Sequence, residues 1–125
     1  MFCIEPFAKA HLAGVVGLCA AEGWPSWTPE RVVRALSAPG VVALVAVEED
    51  RVVGVAELLT DGEVIGYLGL LVVAANARRR GVARTLIREL FDRSSLTRLD
   101  LLSEDDSVAF YVAPAQGEAR IQALR

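Results

Sequence analysis

The segment Arg78-Arg79-Arg80-Gly81-Val82-Ala83-Arg84 sets three consecutive arginines and one glycine at the head of a helical pattern. The N-terminal end of a helix is already the positive pole of its dipole, so clustered cations there call for a negative partner. A loop followed by a helix N-terminus presents backbone N–H groups that bind anions. Gly81 lets a ligand approach the backbone, because no Cβ stands in the way. Arginine guanidinium groups pair with phosphate oxygens, often in bidentate fashion. The chemistry predicted here is the binding of a diphosphate, which would also satisfy the orphan amides of the first helical turn. An exposed basic helix start is the plainer reading of such a run taken alone. Two common phosphate motifs are absent: there is no G-x-G-x-x-G with a downstream acid and no G-x-x-x-x-G-K-[ST].

The elements that must hold this segment can be read on both sides of it. Before it, Leu68-Gly69-Leu70-Leu71-Val72-Val73 is apolar on both faces, which predicts a central, doubly covered strand. After it, Val82, Leu86, Ile87 and Leu90 form a helical stripe, and Leu99 and Leu101 alternate as in a strand. Strand, helix, strand implies a parallel pair joined by a right-handed crossover. Upstream, residues 1–6 read as a strand and residues 8–23 as a helix stopped by Gly23. Thr28 is a good N-cap, Pro29 suits the first helical position, and that helix should end at Pro39-Gly40. Two strands then meet at the polar turn Glu48-Glu49-Asp50, and Asp61-Gly62 turns the chain into the central strand. Downstream, residues 104–113 begin with acids that suit a helix N-terminus, Pro114 stops them, and residues 117–125 make a weak last strand. The predicted fold class is α+β (mixed α/β): one domain over residues 1–125, its sheet antiparallel early and parallel in the middle, flanked by about four helices.

Bulk properties narrow the function. A chain of 125 residues suits one domain and buries roughly two-thirds of its unfolded surface. The net charge of −3 argues against general nucleic-acid binding, so the arginine run is a local concentration in an acidic protein. Cys3 and Cys19 form neither a metal-ligand spacing nor a disulfide framework, and both are expected to pack as small core side chains. One histidine, His11, excludes a histidine-rich zinc site, and no metal is expected. No apolar run reaches membrane-spanning length, and the N-terminus lacks a signal-peptide pattern, so a cytoplasmic location is expected.

Two motifs in this order resemble those of the GNAT-type N-acyltransferase superfamily. Arg78-Arg79-Arg80-Gly81-Val82-Ala83 fits the signature Q/R-x-x-G-x-G/A, and Leu71-Val72-Val73 fits the strand end before it, with Ala75 where proline is frequent. The second motif, N-x-x-A-x-x-F-Y, is matched by Glu104 through Phe110-Tyr111, with Glu104 for asparagine and Ser107 for alanine. After Tyr111 the chain reads Val112-Ala113-Pro114-Ala115-Gln116, where the family often continues x-x-x-G-F. The element order resembles the family over nearly the whole chain.

The resemblance implies a cofactor and roles. Acetyl-CoA would be the acyl donor. Backbone amides of Arg79, Arg80, Gly81, Val82, Ala83 and Arg84, beside Arg78, would hold its pyrophosphate. The backbone of Leu71, Val72 and Val73 would bind the pantetheine arm as though it were an added strand. The central strand, the fourth, would be splayed by a β-bulge that frees an amide to polarise the acyl carbonyl. Tyr111 would protonate the leaving thiolate. Glu63, acting through a water, is the candidate base, with Glu57 in reserve; a solvated strand-end carboxylate is the plainer reading of both. Tyr67 stands about where many members carry a glutamate. Trp24 and Trp27, in the connection that borders the acceptor side, would wall a cationic substrate or else cap the core.

The function implied is transfer of an acetyl group to a primary amine of a small molecule or protein, by direct attack with both substrates in one cleft. A CoA-binding sensor or interaction module without chemistry is the alternative, and a small nucleic-acid-binding domain is a third. A homodimer sharing a sheet edge is a further expectation. The identity of the amine is not written in these residues.

Overall fold

The computed structural model describes residues 1–102 and 120–124. Among the described residues six strands form one sheet in the order β1 (Cys3–Pro6), β2 (Val41–Glu48), β3 (Arg51–Thr60), β4 (Ile65–Val73), β5 (Arg98–Leu102) and β6 (Arg120–Leu124). Pairing is antiparallel from β1 to β4 and parallel from β4 to β6. The expected mixed α+β sheet is therefore present. The described residues hold three α-helices: α1 (Leu12–Ala21), α2 (Pro29–Leu36) and α3 (Val82–Asp92). The helix expected over residues 104–113 lies outside the described residues.

Local chemistry sets the boundaries. Thr28 caps α2 by accepting from the Arg31 N–H at 3.3 Å, and Pro29 opens the helix. Glu49 and Asp50 both adopt positive φ (51° and 64°), the conformation of a tight hairpin turn whose twist suits β2 and β3. In the β3–β4 turn, Asp61 Oδ1 accepts from the N–H groups of Glu63, Val64 and Ile65, and these bonds hold its carboxyl below the usual range.

The sheet is covered on both faces. Leu86, Leu90 and Val82 of α3 pack against Leu44, Ala56, Leu58, Leu99 and Leu101. On the other face, Val15, Leu18 and Cys19 of α1, with Val32 and Leu36 of α2, pack against Val45, Val55, Leu70 and Val72. Gly54 on β3 lets α3 sit close, since a Cβ there would stand 2.9 Å from Val82 Cγ1. Cys19 is buried as expected, and burial pushes its thiol up. Cys3 is exposed, which corrects the expectation of a core side chain. It lies on edge strand β1, where Phe2 and Ile4 take the inward positions.

Candidate active site at the opening between β4 and β5

The strand β4 changes partners along its length. Ile65 through Leu68 pair with Arg98 through Leu101 of β5, and beyond Leu68 the strand runs on to Val73 without β5 beside it. On the β3 side, Glu57 faces Leu70 while Leu58 faces Leu68, so Gly69 is an extra residue, a β-bulge. The bulge and the splay at the fourth strand are as expected. They had been expected from the family resemblance, and the structure places the bulge at Gly69.

The bulge decides which amides face the opening. Ala74 N–H donates to Val53 O at 2.9 Å, in a register that sets Val73 opposite Gly54 and Val72 opposite Val55. Hydrogen-bonded positions alternate along an antiparallel ladder. Val72 and Leu70 therefore bond to β3, and Leu71 and Val73 turn their N–H and C=O groups toward the side that β5 has left. An extended ligand chain laid there would meet the donors and acceptors of a missing strand.

Where β4 ends, a turn over Ala75–Ala77 buries Ala77 and leads into the arginines. Arg79 sits at φ 63° and Gly81 at φ 82°, which winds the backbone tightly before α3. Thr85 N–H and Thr85 Oγ1 both donate to Gly81 O, at 3.0 and 2.7 Å. No side chain caps the helix start and no acid stands in its first turn. The first-turn amides from Val82 onward have no acceptor within the helix. Nothing lies within 4 Å of the place a Cβ would take on Gly81, so the approach is open. A cavity of about 350 Å³ lies over Gly81, Ala83 and Arg79. One of about 330 Å³, sharing Val73, Arg78 and Ala83 with it, extends past Leu71 to Trp24 and Glu22. These features fit a pantetheine diphosphate: a strand-like edge, then an open helix start with cations beside it.

Two of the arginines also have acidic partners within the fold. Arg78 is ion-paired with Glu22, at the end of α1, and Glu22 Oε2 also accepts from Ala75 N–H at 3.3 Å. Arg80 makes a two-pronged pair with Glu48 at the end of β2, its Nη1 standing 2.9 Å from Oε1. The guanidinium of Arg80, then the N-terminal ammonium, hold the Glu48 carboxyl at about 2. Two carboxylates of the fold thus help make the run tolerable. Sequence reasoning missed both, because they lie 56 and 32 residues from their partners.

The candidate bases separate. Glu63 is exposed in the β3–β4 turn, six residues from the bulge, about 20 Å along an extended strand. The structure does not bring it to the opening. Glu57, held in reserve on sequence, is only 7% exposed. Its carboxylate lies across β4 at the bulge: a Cβ on Gly69 would stand 2.7 Å from Glu57 Oε1. Among the described residues no hydrogen bond or ion pair reaches it, and burial pushes its carboxyl up. A carboxylate largely removed from water is a common mark of a functional site. Tyr67 pairs with Asp100 of β5 two residues before the bulge. Trp24 is 51% exposed and lines the cavity beside Leu71. Trp27 instead packs on the α1–α2 core, so the structure does not bring the two indoles together at the opening. Tyr111 and the rest of the second motif lie outside the described residues.

The sheet that opens at β4 beside an uncapped helix start defines a binding protein for an extended ligand that ends in an anion. A profile of the acetyltransferase (GNAT) family matches residues 12–114, and the chain belongs to that family. No curated protein sequence matches it. Among solved structures, a GNAT family acetyltransferase from Streptococcus pneumoniae is similar at 29% identity and a TM-score of 0.73, over 89% of this chain and 83% of that one. A Trypanosoma brucei acetyltransferase is similar at 21% identity and a TM-score of 0.74, over 89% of each chain. An aminoglycoside 6′-N-acetyltransferase complexed with coenzyme A is similar at 22% identity and a TM-score of 0.64, over 73% of this chain and 54% of that one. Among the described residues no cluster of His, Cys, Asp and Glu side chains is placed to hold a metal ion.

Proposed function

We propose that the protein is an N-acetyltransferase that moves the acetyl group of acetyl-CoA to a primary amine by direct attack, with both substrates in the opening between β4 and β5. One observation carries this reading: the bulge at Gly69 turns the Leu71 and Val73 amides into the gap directly before an open, arginine-flanked helix start. The similarity to an N-acetyltransferase with bound coenzyme A supports it. The cofactor, when bound, supplies an acyl thioester.

In this reading the chain's own residues do the rest. Leu71, Val72 and Val73 align the pantetheine arm. Backbone amides from Arg79 to Arg84, with the Arg78 and Arg80 side chains, hold the diphosphate. An amide freed at the bulge stabilises charge developing on the carbonyl oxygen. Holding both reactants in one geometry removes much of the entropic cost of encounter. An amine is mostly protonated at neutral pH, and Glu57, through a water, is the group that takes its proton. Glu57 replaces Glu63 in that role because its carboxylate lies at the bulge. Tyr111 returns a proton to the departing thiolate.

The experiment is a thiol-release assay over a panel of primary amines, with coenzyme A binding measured separately by calorimetry. Turnover with at least one amine, reduced in Tyr111→Phe while coenzyme A affinity holds, is the expected result. Binding without turnover for every amine would point to a sensor instead, and absence of coenzyme A binding would overturn the reading.

A further inference from the structure

The sheet face that carries α1 and α2 is covered along only part of its length. The two helices pack on Val45, Val55, Leu70 and Val72. Farther along the same strands, Leu59, Ile65 and Tyr67 are left 45%, 37% and 36% exposed. Register puts them on this face: Val55, Glu57 and Leu59 alternate along β3, Tyr67 sits opposite Leu59, and Ile65 is two residues before Tyr67. A cavity of about 380 Å³ is lined there by Val41, Leu59, Ile65, Gly66 and Tyr67. It shares no lining residue with the two cavities of the cofactor groove, which lie beyond the bulge.

Gly69 joins this cavity to the chemistry. Leu59 Cδ1 and Glu57 Oε1 stand 3.0 and 2.7 Å from the place a Cβ would take on Gly69. The apolar strip therefore begins beside the carboxylate assigned to the amine's proton. The two acids that line the cavity are already engaged. Arg98 holds Asp100 in a two-pronged pair, at 2.9 and 3.1 Å. Asp61 Oδ1 accepts from three N–H groups of its own turn. Exposed apolar surface gathered in one place marks a ligand groove or an interface. Continuity with Glu57 at Gly69 favours the ligand.

We propose that the acceptor is a primary amine with an unbranched apolar body, and that Leu59, Tyr67 and Ile65 select it by taking that body along β4 while the amine lies at the bulge. The proposal rests on the acetyltransferase reading and adds the substrate class. A second ammonium group on the body would give up its water against hydrocarbon, so a diamine is a poor fit. From Gly69 to Tyr67 the strip spans two residues of strand, about 7 Å. Each methylene laid along it passes from water to an apolar surface, and that gain enters kcat/KM.

The test measures kcat/KM for unbranched primary amines from ethylamine to hexylamine, with 1,4-diaminobutane beside pentylamine as the charged counterpart. The value should rise roughly two- to fourfold per added methylene, the range from partial to full burial. The diamine should fall well below pentylamine. Leu59→Ser and Tyr67→Ser change exposed side chains, so both proteins should bind coenzyme A as the parent does, and the rise along the series should flatten. Failure of the parent to bind coenzyme A overturns the acetyltransferase reading and this proposal with it. Normal coenzyme A binding with no turnover of any of these amines overturns this proposal alone. So does a flat series, or a rise that survives both substitutions. A dimer in sedimentation that either substitution dissociates would show that the strip is an interface between copies, and would overturn it too.

Discussion

The carboxylate of Glu57 on β3 lies across Gly69 on β4, close enough that a methyl group on Gly69 would stand 2.7 Å from its Oε1. Glycine at the bulge therefore serves two ends: it breaks the ladder register, and it leaves room for an acid where β4 and β5 part. Glu57→Gln keeps the shape and removes the base. Turnover should fall about 100-fold or more, the usual scale for loss of a positioned base, with coenzyme A affinity unchanged. In the parent, the acid limb of the pH–rate profile should lie above an ordinary carboxylate, because burial pushes Glu57 up, and the mutant should lack that limb. A raised folded-state pKa means the native protein binds more protons than the unfolded one between the two values. The parent should therefore gain stability as pH falls through the raised value toward 4.5, and Glu57→Gln should not. Rate profiles and thermal melts across that window check both statements.

Gly69→Ala tests the same relationship from the other strand. The added methyl would also stand 3.0 Å from Leu59 Cδ1, so it has no free side on which to settle. The Glu57 carboxylate must swing away. Turnover should drop nearly as far as in Glu57→Gln, while coenzyme A still binds. A Gly69→Ala protein that keeps full activity would show that the carboxylate's place over β4 is irrelevant to the chemistry.

Gly81→Glu addresses the helix start. The position has open space, so the side chain meets no clash, but φ of 82° is costly for a residue with a Cβ, roughly 1 kcal/mol. The larger effect is electrostatic, since a carboxylate would occupy the place of the diphosphate. Coenzyme A binding should be lost by calorimetry while the melt shows a folded protein. Gly81→Ala separates the two causes and should retain measurable binding.

What could be read from the sequence was local. The α3 stripe of Val82, Leu86, Ile87 and Leu90 is buried as its spacing required. Thr28 and Asp61 act within a few residues of themselves. What could not be read depends on contacts across the sheet. Glu22 and Glu48 reach the arginines from α1 and β2, and no spacing rule connects such distant positions. Glu63 was the candidate base with Glu57 in reserve, yet the β3–β4 turn carries Glu63 to the end of β4 away from the bulge. Glu57 shows its character only once its burial and its neighbour Gly69 are known.

The pair between Glu48 and Arg80 makes the last prediction, on both stability and binding. The Arg80 guanidinium, with the N-terminal ammonium, holds the Glu48 carboxyl at about 2 against an ordinary 4.5. A depressed folded-state pKa stabilises the native state above the unfolded value, and the contribution is lost as pH falls through the folded one. Thermal melts of the parent and Glu48→Gln should therefore differ above pH 4.5 and converge as the pH drops toward 2. The same substitution frees the fork of Arg80. If Glu48 competes with a phosphate for that guanidinium, Glu48→Gln should bind coenzyme A more tightly at low ionic strength and lose the advantage as salt screens the charges. Equal affinities at every salt concentration would show that Arg80 is a strut between β2 and the loop before α3 and takes no part in holding the cofactor.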